Sequence, residues 1–244
     1  MISKISLLHA IAIPFLRTFT LVLFLSSLPV CAQTVNEFNS WWYYTGTYKI
    51  LPRINVQTMY SWNRNDFVRN WQQSKLKIGA DYEFNRHWKI AAGYEWIILY
   101  PYGEFPISKK RTEHRIYEEL KHDFVLGKFK LSTSVRAEHR FLNTDVTHRI
   151  RLQTGVKFPV WKQQNQSLIG LSFYEQMILN TDKQLVNQYL AQNRLYGGAD
   201  IFLDKSLTLG LGYLNHRIYL TKNRIENNHT LIISLYHYLD LTKK

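Results

Sequence analysis

Two kinds of side chain recur in this sequence at spacings that chemistry could use: arginine with glutamate, and histidine. Glu113, Arg115, Arg136, Glu138, Arg140, Arg149 and Arg151 fall at alternate positions of three successive segments, so in extended chain they share one face. Carboxylates and guanidiniums on a common face can make charge-assisted, bidentate contacts. A two-residue turn at Leu126–Gly127 sets Phe124 opposite Phe129, Arg115 opposite Glu138 and Glu113 opposite Arg140. One at Asn143–Thr144 sets Glu138 opposite Arg149 and Arg136 opposite Arg151. Glu138 then lies between Arg115 and Arg149 on three adjacent strands, within the about 4.5–5.5 Å Cβ spacing of facing residues. Such a ladder either fills and rigidifies an interior that cannot be apolar or, through the like-charged Arg136–Arg151 pair, attracts anions. The structural role is the expectation.

The same registers place His114, His139 and His148 in a row on the opposite, outward face near one rim. Three imidazoles could hold a metal or act as a base for a lipid-modifying enzyme. Metal sites want tighter convergence than a flat row gives, and no carboxylate is expected on that face at that level. Contact with lipid headgroups is therefore the default, with neither metal nor cofactor expected. Other enzymatic signatures are missing: no phosphate-cradling glycine loop, no Gly-x-Ser-x-Gly, no His-Glu-x-x-His. No catalytic residue is assigned. Gly197–Gly198, Gly210 and Gly212 read as packing relief in a curved wall, and Glu175 has no evident partner.

The elements that position these residues are strands. Two-residue alternation marks eleven segments: 36–48, 53–64, 70–83, 87–99, 111–124, 128–141, 146–158, 167–179, 189–202, 206–219 and 227–240. They reach a dozen residues or more, against about 5–6 for an average globular strand and about 9–11 for a tilted membrane-spanning one. One face is apolar and the other charged. The expected fold is all-β: a transmembrane antiparallel up-and-down barrel of 10–12 strands with a polar lumen and no open edges. Bacterial single-chain barrels carry even strand numbers, so segment 36–48 is expected either inside the barrel or beside one overlooked strand. Connections alternate between tight turns and longer loops. Aromatic pairs near strand ends (Trp62 and Trp71, Phe84 and Trp88, Tyr100 and Tyr102, Phe124 and Phe129, Phe158 and Trp161) suggest interfacial girdles.

Residues 1–32 differ in composition from the rest. They contain no acid, carry Lys4 and Arg17, and run through an apolar stretch from Phe19 to Leu25 into Val30-Cys31-Ala32. This is the pattern of a secretory signal peptide cleaved near Ala32, leaving 33–244 as one domain. A lipoprotein signal ending at Cys31, the chain's sole cysteine, would want a smaller residue than Val30. The chain of 244 residues has a formal charge of +13, which in the cytosol would suggest nucleic acid. Export excludes that partner and points to outer-membrane lipids, the barrel-assembly machinery and a small anionic solute. With 20% charged residues, a helical membrane protein is excluded.

Several short motifs in this order resemble a known family. They are an early Trp-bearing strand, Glu-His-Arg at Glu113–Arg115 and Glu138–Arg140, and His-Arg-x-Arg at His148–Arg151. Gln-Asn-Arg at Gln192–Arg194 and a closing Asn-His at Asn228–His229 complete the set. The family is the bacterial domain of unknown function 2490, and the resemblance covers essentially all of 33–244. It implies an exported outer-membrane barrel, often from Bacteroidetes, and brings no activity. The expected function is a non-enzymatic envelope protein, largely plugged or passing small anions. The alternative is an outer-membrane lipid hydrolase or acyltransferase. The chain lacks a terminal aromatic, and Tyr236 and Tyr238 are the candidates to replace it as an assembly signal.

Overall fold

Eleven stretches of alternating sequence become eleven strands in a computed structural model, which describes residues 33–101, 110–143, 145–163, 166–182, 189–220 and 224–242. The strands are β1 (Gln33–Leu51), β2 (Ile54–Asn65), β3 (Asn70–Glu83), β4 (Trp88–Leu99), β5 (Arg111–Leu126) and β6 (Phe129–Leu142). They continue with β7 (Asp145–Gln163), β8 (Gln166–Asn180), β9 (Leu190–Phe202), β10 (Leu207–Leu220) and β11 (Arg224–Asp240). Each pairs with its sequence neighbours, and β1 meets β11 to close a barrel. The expected up-and-down topology is therefore present, and β3 occupies the residues its alternation marks. Among the described residues no helix is long and apolar enough to cross a membrane.

Segment 36–48 is neither inside the barrel nor beside an overlooked strand: it is β1, a full stave of the wall. The even count expected from bacterial precedent gives way to eleven. Ten successive antiparallel pairings carry the chain from β1 to β11, so an odd total leaves the first and last strands pointing the same way. The contacts across the closure agree, because partners rise together in number. Asn36 meets Asn227, Phe38 stacks on His229, Tyr44 bonds His237, and Lys49 accepts from the Leu241 amide. The seam is parallel.

Turn chemistry sets the registers. The β5–β6 turn is Gly127–Lys128, with Gly127 at φ +58°, so Leu126 faces Phe129. The expected Leu126–Gly127 turn would have put a branched side chain where only glycine is at ease. Pairing across β5 and β6 consequently differs by two residues from expectation: Phe124 faces Leu131, Arg115 faces Arg140, and Glu113 faces Leu142. A shift of two preserves which face each side chain occupies. The β6–β7 register is as expected, with Glu138 facing Arg149 and Arg136 facing Arg151. At the β9–β10 turn Asp204 accepts from the amides of Ser206 and Leu207, and at β3–β4 Asn85 accepts from those of His87 and Trp88.

The two faces are sorted in opposition to a soluble protein. Leu76, Ile78, Ile90, Ile116, Val135 and Leu211 stand 42–55% exposed on the outside. The buried set is rich in charged and amide side chains. Aromatic contacts gather at two levels. Trp42, Trp62, Trp71 and Tyr100 run in series across β1–β4 near the longer loops, and Phe129, Phe158 and Phe173 do so near the tight turns. Arg64 lies over Trp62 and Trp71 and donates to the carbonyls of Val68 and Arg69, tying the β2–β3 loop to this belt. Tyr102 and residues 1–32 lie outside the described residues.

Candidate functional site: a charge-packed barrel interior

Inward positions of β4 to β7 carry one connected ion network. Glu138, fully buried, is bridged by Arg115 at 3.3 Å, Arg149 at 3.1 Å and Arg151 at 2.5 Å. Glu113 is shared by Arg115 at 2.6 Å and Arg140 at 2.7 Å. Arg115 also reaches Glu95 at 3.0 Å. Glu95 in turn meets Arg136 at 3.3 Å, and Arg136 ends the chain on Glu119 at 2.9 Å. All seven arginines and glutamates expected in the ladder are present, joined by Glu95 and Glu119. Glu138 with Arg149, Glu95 with Arg115 and Glu119 with Arg136 meet straight across, and the remaining contacts run diagonally or along a strand. Arg115 faces a like charge in Arg140, and Glu113 one step away neutralises both. In the two-residue shift the arginine reaches Glu138 by side-chain length instead of by register.

Glu95 is the residue that sequence reasoning missed. It sits on β4 opposite Arg115, inside a mostly apolar segment where alternation alone had marked its face. Glu119 was missed for the same reason, since its partner Arg136 comes only with the β5–β6 register.

The other half of the interior is aromatic. Trp41, Tyr196, Leu214 and Ile232 form a buried cluster, with Tyr43 and Tyr174 against it. Arg194 joins the two halves: its guanidinium lies 5.3 Å from the Trp41 ring and donates to the amide oxygens of Gln176 and Gln192. Paired glycines seat the large rings. A Cβ on Gly93 would meet the Tyr117 hydroxyl at 2.5 Å and the Ile78 carbonyl at 2.6 Å, while Gly198 and Gly212 flank Tyr196 in the same manner. Gly212 and Gly198 thus relieve packing, as their position in strands implied, and Gly79 and Gly93 do so beneath Tyr117.

Two cavities open at opposite ends. One of about 420 Å³ lies at the tight-turn end between Lys49, Lys89, Lys205, Glu83 and Tyr236. The other, of about 280 Å³, lies at the long-loop end between Glu37, Arg111, Glu226 and Asn228.

On the outside, the histidine row is broken. His139 and His148 face one another, with their Nδ1 atoms 2.8 Å apart. His114 is displaced by the β5–β6 register, stands opposite Phe141, and bonds the Tyr94 hydroxyl at 2.5 Å instead. The expectation that no carboxylate shares this face is corrected too: Glu118 Oε2 lies 3.2 Å from His139 Nε2. A diagonal reach across β5–β6 supplies what a straight register had excluded. Among the described residues no three histidine, cysteine or acidic side chains converge as a metal site. Glu175, likewise, accepts a hydrogen bond from Asn193 at 2.8 Å.

The motifs noted in the sequence now have places. Glu-His-Arg supplies network residues inward and histidines outward. Asn228 bonds Asn39 across the seam, and His229 stacks on Phe38 outside it. No curated protein matches the chain. A solved structure, the siderophore receptor PirA from Pseudomonas aeruginosa, aligns at 12% identity and a TM-score of 0.26, covering 70% of this chain. The chain spans about a third of that receptor (32%), and the likeness carries no argument. A family match covers residues 38–227, the stretch from early β1 to the start of β11 that holds the entire network, and the chain belongs to the family described as Protein of unknown function (DUF2490).

Proposed function

We propose that this protein is an exported outer-membrane β-barrel without enzymatic activity, whose ion-filled interior closes most of the lumen and admits at most small anions. The observation that carries the reading is the inverted sorting of side chains: large apolar residues around the outside of a closed wall, charged ones within. Water is a poor solvent for the outside and lipid for the inside, whereas a bilayer suits both. Aromatic belts at two levels support interfacial placement. On this reading residues 1–32 are a signal peptide removed near Ala32. The lipids of the membrane and its barrel-assembly machinery are the partners, and the tight turns face the periplasm.

The test is fractionation with carbonate extraction, gel migration before and after boiling, and conductance in planar bilayers. The expected protein begins near Gln33, stays with outer membrane through carbonate and shifts on boiling. Its conductance stays far below that of an open pore and favours chloride over potassium. Release by carbonate would overturn the membrane reading, and large open-pore steps the plugged interior.

A second reading has one observation in its favour. The Glu118–His139–His148 series on the lipid-facing side has the form of an oriented general base, as an enzyme acting on membrane lipid would need. Replacing His139 by alanine and analysing lipid by mass spectrometry tests it. An unchanged lipid profile sets the enzyme aside.

A further inference from the structure

Midway along the barrel the cations outnumber the carboxylates that face them. The network commits four glutamates to five arginines. Lys75 and Lys77 on β3 and Arg194 on β9 add three positive charges from inward positions, since they alternate with the exposed Leu76, Ile78 and Leu195. Among the described residues neither Lys75 nor Arg194 has a carboxylate at ion-pair distance. The acid that acts most strongly on Lys75 is Glu95, already bridged by Arg115 and Arg136. Among the described residues Arg194 is held by amide oxygens and a ring face. Among the described residues Arg151 has Glu138 alone as its acid, shared with Arg115 and Arg149.

Lys75, Arg151 and Arg194 stand on separate strands, yet each lies within electrostatic range of the others. Tyr43 on β1 and Tyr174 on β8 lie within range of both arginines. Geometry places them along one lumen: Tyr43 and Tyr174 pack against the Trp41–Tyr196 cluster over which Arg194 lies, Arg151 bridges Glu138, and Lys75 stands diagonal to Glu95 of the same network. They keep some exposure, 12% for the Arg151 side chain, although they point inward from the wall, so the surface they expose belongs to the lumen. Like charges gathered in a water-poor interior repel strongly, and a stranded buried charge is costly. Ammonium, guanidinium and phenol groups are all donors, so the complement is an anion with several acceptor oxygens. The surrounding wall separates this space from lipid, which favours a free ion over a headgroup.

We propose that Lys75, Arg151 and Arg194, with the hydroxyls of Tyr43 and Tyr174, form a binding site in the lumen for a small multivalent oxyanion of the phosphate class. The site deepens the anion-admitting part of the reading above and rests on it.

The experiment is calorimetric titration of the purified, folded barrel in detergent with inorganic phosphate at low ionic strength. The expected result is saturable binding of one ion that weakens as salt screens the charges. Lys75→Gln and Arg194→Gln should each weaken binding about tenfold or more, a loss of about 1.4 kcal/mol per factor of ten. Lys205→Gln, at the tight-turn mouth, should leave binding unchanged. Absence of saturable binding overturns the site, as does wild-type affinity in both lumen variants. Equal loss in Lys205→Gln also overturns it, by showing binding at surface lysines. Should Arg194→Gln not fold, Lys75→Gln alone decides. Gel migration of the same sample separates the two failures. A barrel that shifts on boiling but binds no phosphate loses only the site, while one that shows no shift loses the membrane-barrel reading itself.

Discussion

Glu138 holds three guanidiniums at once, and none of the three has a full carboxylate of its own. Glu138→Gln keeps the shape and removes the charge, leaving Arg149 and Arg151 without any acidic partner among the described residues. Breaking a buried pair costs about 3–5 kcal/mol, whereas exposed pairs are worth about 0–1 kcal/mol. Because Glu138 is fully buried, the expected loss is near the larger figure, read as a lowered urea midpoint for unfolding from detergent. A loss within the smaller range would mean a hydrated lumen. Gly93 makes a second point at this scale. Gly93→Ala drives a methyl into the Tyr117 hydroxyl and the Ile78 carbonyl, an overpacking that costs about 1–3 kcal/mol. Pairing it with Tyr117→Ala should recover part of the loss in a double-mutant cycle. Additive losses would show that the ring is not what fills the space above Gly93.

Strands run twelve to nineteen residues, the length that the membrane reading proposed above asks of a stave crossing a slab rather than capping a core. Their alternation decides which substitutions matter. Val135 stands outward on β6 at 45% exposure. Val135→Arg should cost about 2–4 kcal/mol near the middle of a bilayer, measured by reversible unfolding from lipid vesicles, and Val135→Leu should cost little. An arginine tolerated there without loss would refute the lipid-facing assignment. Turns matter differently, since Gly127 alone sets the β5–β6 pairing through its left-handed backbone.

Closure with eleven strands gives the whole molecule a single parallel seam, and that seam is its most specific geometric claim. Two cysteine pairs test it: Asn39→Cys with Asn228→Cys, and Tyr44→Cys with His237→Cys. The native side chains touch in both cases, and the chain's only native cysteine, Cys31, precedes β1. Both pairs should form disulfides in folded protein. An antiparallel seam brings together at most one of them, because its partners would fall in number on one strand as they rise on the other. Crosslinking of one pair only would therefore sink the parallel closure.

What the sequence determined by itself was the number of strands and the face of each side chain. Side-chain period in a strand is two, so alternation of Phe129, Leu131 and Val135 with Lys130, Ser134 and Arg136 settles which residues look inward. Strand ends followed more loosely: β3 ends with its alternation, whereas β7 runs five residues past 158 and β1 extends three residues beyond 36–48 at each end. The ladder of Glu113, Arg115, Arg136, Glu138, Arg140, Arg149 and Arg151 was legible from the alternation, and an error of two in register left it intact. Tertiary structure decided everything that depends on register or closure. One glycine at the β5–β6 turn moved Arg115 opposite Arg140 and parted His114 from His139 and His148. The β4–β5 register set Arg115 opposite Glu95, and the diagonal reach of long side chains let Arg136 join Glu95 and Glu118 meet His139. The role of segment 36–48, the parity of the barrel and the meeting of Arg194 with Trp41 come from residues far apart in the chain. No local pattern encodes the order in which a sheet closes on itself.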